Sequence, residues 1–220
     1  MADRLPVKVK QWLLLCLLLS GVAFSTCFCE AHDWGTVDYV PDGDTIILQD
    51  GRRVRYIGLD TPEIDHENHR AEPMGYEARS MNRKLVEGQR LKIVTDREKF
   101  DRYGRTLAYV FREDGLFVNA ELISAGVAFC LYSHPNTRQS KRLLTAQKKA
   151  MSEGKGIWKW VDKNESPPHA YRGNRRSRRF HTHNCENGKK MSPKNRVWLK
   201  NQWEAFWQGY APARECVQFP

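Results

Sequence analysis

The sequence predicts an α+β protein, mainly β with helices, and three observations carry that prediction. Five short stretches are rich in β-branched and aromatic residues: "TVDYV" (36–40), "TIILQ" (45–49), "RRVRYIGLD" (52–60), "RLKIVTD" (90–96) and "TLAYVFRED" (106–114). Such residues fit a pleated, half-buried surface. Asp50-Gly51 stands between the second and third stretches, a strong hairpin turn signal. Two other stretches repeat apolar residues at helical spacing, and a third reads as a short helix stopped by a glycine. The order that results is three strands, a helix, two strands and two helices.

Each element has local reasons. Pro62 ends the third strand, because proline has no N–H for the ladder. The first helix runs over 74–86, with Met74, Ala78, Met81 and Leu85 on one face and Gly88 to close it. "FVNAELISAG" (117–126) reads as a short helix stopped by Gly126. The third helix runs over 138–151, with Leu143, Ala146, Ala150 and Met151 as its apolar stripe.

The flanks differ from this middle. Lys8 and Lys10 precede an apolar run from Trp12 to Phe24, about half the length a membrane-spanning helix needs. A basic start, a short apolar core and small residues after it predict a secretory signal over residues 1–31. Export to the periplasm or the medium follows, with membrane association only if the segment stays uncleaved. Residues 32–163 read as the main domain. Residues 164–179 combine prolines, small polar residues and five arginines, and read as a basic linker. Residues 180–220 read as a small unit holding Cys, His and Trp. Its Trp198, Trp203, Phe206 and Trp207 supply the bulk that a small core needs.

The chain of 220 residues carries a net charge of +10, with 40% hydrophobic and 28% charged residues. That composition excludes a disordered chain. Residues 164–220 hold eleven Lys and Arg against four Asp and Glu, a net of +7. The basic excess therefore sits in the tail, and a basic tail suits a polyanionic partner such as nucleic acid.

The acids of the middle segment are grouped. "PDGDT" places Asp42 and Asp44 at the entry of one strand, and "LDTPE" places Asp60 and Glu63 at the exit of the strand across the hairpin. Hairpin topology makes Asp44 and Asp60 neighbours. Clustered carboxylates repel each other, and a hard divalent cation with oxygen ligands removes the repulsion. The donor set suits Ca²⁺ or Mg²⁺ and not zinc, which prefers Cys and His. Arg55 lies on the same strand as Asp60, and Arg105 sits in "DRYGR" before the fifth strand. Arginine forks match phosphate oxygens. A metal, a carboxylate base and two arginines are what phosphodiester hydrolysis requires. Any one of these residues alone is ordinary turn chemistry. Turn requirements do not explain all of them in this order.

That order resembles a known family, the staphylococcal or thermonuclease-type nucleases. The resemblance rests on "DGDT" (42–45), "VRYIGLDTPE" (54–63), "GYEA" (75–78), "DRYGRTLAYV" (101–110), "VNAELISAGVA" (118–128) and "GIW" (156–158). It implies a five-stranded OB-fold barrel with three helices. It implies one Ca²⁺ site, with Asp44 and Asp60 as ligands and Thr61 offering its backbone carbonyl. Arg55 and Arg105 are similar to the phosphate-binding arginines, and Glu63 to the carboxylate that acts on the water. Tyr103 and Tyr132 are similar to tyrosines that line the nucleotide site. The expected activity is hydrolysis of DNA and of RNA with little sequence preference, leaving 3′-phosphates, with no stable protein partner. The alternative is a non-catalytic nucleic-acid-binding module, as in multi-repeat relatives that have lost these acids.

The tail resembles a degenerate Ada-type metal-binding module, with a "FHxxxC…GYxPCxxC" pattern. His181, Cys185 and Cys216 match it, and Ala213 stands where the pattern has a further cysteine. A structural zinc site wants four ligands, so two readings stay open. One is Zn²⁺ on His181, Cys185 and Cys216, with His183 as a substitute ligand. The other is a Cys185–Cys216 disulfide.

Overall fold

A computed structural model describes residues 33–65, 70–164 and 171–217. The signal expected over 1–31 lies outside the described residues. Five strands close a barrel in the order β1 (Asp33–Tyr39), β2 (Thr45–Leu48), β3 (Arg53–Tyr56), β6 (Thr106–Arg112) and β5 (Arg90–Val94). All neighbours are antiparallel except β3 and β6, which run parallel. A parallel pair needs a crossover. Helix α1 (Gly75–Val86) and strand β5 lie within it. With α2 (Val118–Ser124) and α3 (Ser140–Ser152), the barrel is the OB-type α+β fold that the sequence predicts.

The third strand departs from the expected 52–60. It is broken into β3 and a two-residue β4 (Leu59–Asp60), which leaves the barrel and pairs with β7 (Phe129–Cys130). Gly58 makes the break. Its φ of 83° lies in the left-handed region that glycine adopts freely, and a Cβ there would collide with Leu143. The buried Asn119 side chain fixes the same bend, since its Nδ2 donates to the Ile57 carbonyl at 3.0 Å. Its Oδ1 accepts from Val110 N at 2.9 Å. Arg55 and Asp60 therefore lie on different strands, and the turn between them re-aims the acid.

A second sheet orders β10 (Arg196–Leu199), β8 (Tyr171–Asn174), β9 (Arg179–Thr182) and β11 (Ala211–Pro212). The stretch expected as a linker thus contains a whole strand. "YRGN" (171–174) has a buried face, Tyr171 and Gly173, that closes on Phe180 and Tyr210, and this apolar partner lies too far along the chain to be read locally. The helices α4 (Glu186–Lys189) and α5 (Gln202–Trp207) complete the tail.

The tail shares a core with the barrel domain. Phe206 of α5 is fully buried, its ring 5.7 Å from Phe129, 5.0 Å from Trp158 and 5.3 Å from Phe180. Gln147 of α3 bridges the two parts, donating to the Phe206 carbonyl and accepting from Cys130 N, each at 2.6 Å. The tryptophans expected as core stand at its rim instead. Trp198 and Trp207 are exposed, and Trp203 stacks on Trp207 at 6.3 Å. Lys163 and Lys148 cover those two indoles. The physical reason is that α3 and the Trp158 segment already supply the apolar surface, so the tail need not close on itself. Phe206→Ala is expected to destabilise the protein by about 3–5 kcal/mol, read as a lower urea midpoint. A shift below about 1 kcal/mol would mean that the shared core contributes little.

Candidate active site

Asp44 enters β2 through a tight turn. Its N–H donates to Asp42 Oδ1 at 3.0 Å. Gly43 lies against Thr61 and Ala78, where a Cβ would come within 2.8 Å of both. The turn therefore packs directly onto the Thr61 loop and onto α1. Asn82 of α1 holds it from below, donating to the Asp42 carbonyl at 3.1 Å and accepting from Tyr56 Oη at 2.9 Å.

Asp44, Asp60 and Thr61 are buried at 5%, 6% and 3% exposure. Asp44 Oδ2 accepts from Thr61 N at 3.3 Å and from Thr61 Oγ1 at 3.1 Å. Arg55 joins the two acids: one guanidinium nitrogen meets Asp44 Oδ1, and Nη2 donates to Asp60 Oδ1 at 2.7 Å. Buried carboxylates this close need such a cation. Glu63 sits on the loop beyond Pro62. Glu72 anchors it twice, accepting from Glu63 N and donating its own N–H to the Glu63 carbonyl, each at 2.8 Å. Burial pushes the Glu63 carboxyl up, Arg214 pulls it down, and Asp60 raises it again.

Arg214 completes the site from the tail. Its Nη1 donates to Glu63 Oε1 at 2.9 Å and lies 3.3 Å from Glu72 Oε2. Its Nη2 donates to the Thr61 carbonyl at 2.8 Å and to Asp60 Oδ2 at 3.3 Å. Arg179 stands behind it, with Nη1 on the Pro212 carbonyl at 2.9 Å. Burial pushes the Arg179 guanidinium down, while Asp60 acts against that shift. Sequence reasoning missed Arg214, Arg179 and Glu72. Arg214 is 151 positions from Glu63, so no local spacing signals it.

The structure gathers Asp44, Asp60, Thr61, Arg55 and Glu63 at one place. Arg105 and Tyr103 lie in the adjoining loop before β6, whose Leu107 is the register partner of Arg55. Arg105 Nε donates to Asp101 Oδ2 at 2.7 Å, and its guanidinium lies 5.6 Å from the exposed Tyr103 ring. Burial raises the Asp101 carboxyl, but the Arg105 and backbone hydrogen bonds outweigh it and hold the group low. Tyr132 lines a separate cleft of about 270 Å³ with Leu131, Lys141, Leu144 and Arg178.

A hard divalent cation fits this donor set. Asp60 Oδ2 and the Thr61 carbonyl converge on one point, now held by Arg214 Nη2. Carboxylate and carbonyl oxygens are the ligands that such ions take. In the tail, Cys185 and Cys216 form a disulfide with Cα atoms 5.8 Å apart. The two sulfurs, His181 and Glu215 bring ligand atoms within 4.8 Å of one another. Glu215, not His183, is the fourth member, because the His183 ring stacks on Trp198 at 6.1 Å. Burial lowers the His181 pKa, and Glu215 opposes that shift.

Known proteins share this arrangement of sequence. The family described as "Staphylococcal nuclease homologue" matches residues 53–160. The thermonuclease of Staphylococcus intermedius is 42% identical over 125 residues, covering 56% of this chain and 74% of the relative. The thermonuclease of Staphylococcus hyicus is 39% identical over 122 residues, covering 54% and 72%. Endonuclease YncB of Bacillus subtilis is 36% identical over 128 residues, covering 56% and 60%. With identity of this degree over most of two relatives, and a closed five-stranded barrel, the chain belongs to the staphylococcal nuclease family.

Proposed function

We infer that this protein is a nuclease, a hydrolase of phosphodiester bonds in DNA and RNA, that it is exported, and that it depends on Ca²⁺. One observation carries the reading: two buried carboxylates, a backbone carbonyl, an arginine and a half-exposed glutamate meet in a chain 42% identical to a thermonuclease. Asp44, Asp60 and the Thr61 carbonyl would hold the cation. When bound, it supplies positive charge against the pentacoordinate phosphorus and its leaving oxygen.

The chain's own residues do the rest. Arg55 orients both ligand carboxylates and, with Arg105, presents guanidinium donors to the phosphate. Glu63, held by Glu72, orients a water and takes its proton. The water oxygen bonds to phosphorus in line, and the bond from phosphorus to the 5′-oxygen breaks, leaving a 3′-phosphate. The exposed Tyr103, beside Arg105, offers a face on which a base stacks, and Tyr132 offers one only to a strand that reaches its own cleft. Export is supported by the basic-then-apolar start of the chain. In the tail we take the disulfide reading over Zn²⁺, since the two sulfurs are bonded to each other.

Plasmid digestion tests the proposal. Cleavage in calcium is expected to fall about 100-fold or more in excess chelator. Undiminished cleavage in chelator removes the metal dependence. Gel-shift binding without cleavage replaces the enzyme by a binding module.

A further inference from the structure

We propose that Arg214 is a built-in competitor of the catalytic metal: its guanidinium takes the cation's place on Asp60 and Thr61 and sets the affinity of the site for the ion. The proposal rests on the reading of Asp60 and Thr61 as cation ligands.

The geometry is direct. Nη2 sits 3.3 Å from Asp60 Oδ2 and 2.8 Å from the Thr61 carbonyl, between two of the three oxygens assigned to the ion. Nη1 sits 2.9 Å from Glu63 Oε1. A divalent ion needs its oxygens within about 2.6 Å, so the ion and Nη2 cannot hold the same two oxygens together. Charge makes the exclusion stronger. A guanidinium next to a divalent cation is repelled by it, and Arg179 already lies within electrostatic reach of Asp60 and Arg214. Without the ion the arrangement reverses. Arg55 pairs with Asp44 and Asp60, and Arg214 supplies the charge that Glu63 and Glu72 meet and a second one for Asp60.

The tail holds Arg214 ready for this role. Pro212 of β11 pairs with Phe180, and Ala213 N donates to the Phe180 carbonyl at 2.8 Å. Ala213 is buried. On the other side, Cys216 is tied to Cys185, and its N–H donates to the Ala213 carbonyl at 3.0 Å. Residue 214 is the tip of a turn clamped at both ends. A side chain fixed beside its acceptors binds them with high effective concentration. Arg214 remains partly exposed, at 31% for the side chain. A modest displacement therefore frees the oxygens without unfolding the tail. Two ligands that exclude each other lower each other's apparent affinity by the same factor. The ion's apparent dissociation constant is then its intrinsic value divided by the fraction of molecules in which Arg214 is away.

Calcium titration by calorimetry tests this on the full chain. Arg214→Ala and Arg214→Gln are each expected to bind Ca²⁺ about tenfold more tightly than the parent, the loss of one charge-assisted bond's worth of competition. Unchanged or weaker binding in both variants overturns the proposal. A second measurement needs no variant. Calcium is expected to speed the modification of Arg214 by phenylglyoxal, read by peptide mass spectrometry, and a rate that calcium leaves unchanged overturns the proposal equally. Plasmid cleavage separates this proposal from the functional reading. A protein that cleaves in calcium but shows no change of affinity loses only the Arg214 assignment. Variants that bind calcium more tightly in a protein that cleaves nothing remove only the nuclease reading.

Discussion

Arg55→Ala is expected to cost about 3–5 kcal/mol of stability in the absence of metal and to lower kcat by about 10²–10³. The guanidinium is the cation common to Asp44 and Asp60, whose side chains are 7% and 9% exposed. Removing it leaves two buried acids facing each other with one partner fewer. Such acids must either stay charged at high cost or take up protons. Calcium is expected to recover part of the lost stability, because the ion would neutralise the same oxygens. Urea unfolding with and without calcium measures both effects. An Arg55→Ala protein of parental stability would show that Asp44 and Asp60 are compensated elsewhere. One with parental kcat would remove Arg55 from the reaction.

Glu63→Gln is expected to behave differently, with a loss of about 10²–10⁴ in kcat and a stability change of no more than about 1 kcal/mol. The substitution keeps the shape of the side chain and an oxygen that can accept from Arg214. It removes the group that would take the proton from water. The Glu63 side chain is 46% exposed and its partner Arg214 is 31% exposed, so the ion pair is a partly solvated one. The two variants thus separate two functions within one site. Arg55 loss moves stability and rate together, whereas Glu63 loss moves the rate alone. Parental kcat in Glu63→Gln would exclude it as the group acting on water.

Much of this was legible in the chain. Enrichment in β-branched and aromatic residues, with turn residues between, located all five barrel strands, because such side chains fit a pleated sheet; β2 and β6 do not alternate, since consecutive residues are buried in each. The helices over 75–86, 118–124 and 140–152 followed from apolar spacing and closing glycines. The acids Asp44 and Asp60 could be paired from the hairpin alone. Their route together was different from that reading: β2 and β3 set Thr45 opposite Arg55, and the turn at Gly58 then returns Asp60 to the same place. A glycine in a strand pattern signals a bend but not its direction. The direction came from Leu143 and Asn119, which lie 85 and 61 positions further along.

The tail was the least legible. Tyr171 in an arginine-rich stretch looks like a linker until Phe180 and Tyr210 are beside it, and four bulky residues look like a private core until Phe129 and Trp158 supply one. Local patterns report which residues seek burial, not which surface receives them.

By itself, the sequence determined the barrel class, the family and the chemical kinds of group at the site, because periodicity, turn chemistry and motif order are properties of neighbouring residues. Only the tertiary structure decided that Arg55 joins both acids, that Glu72 holds Glu63, and that Arg214 crosses from the tail to the Thr61 carbonyl. Those relations span from 5 to 153 positions of the chain and are alike only in being close in space, and hydrogen bonds and charge act over distance in space alone.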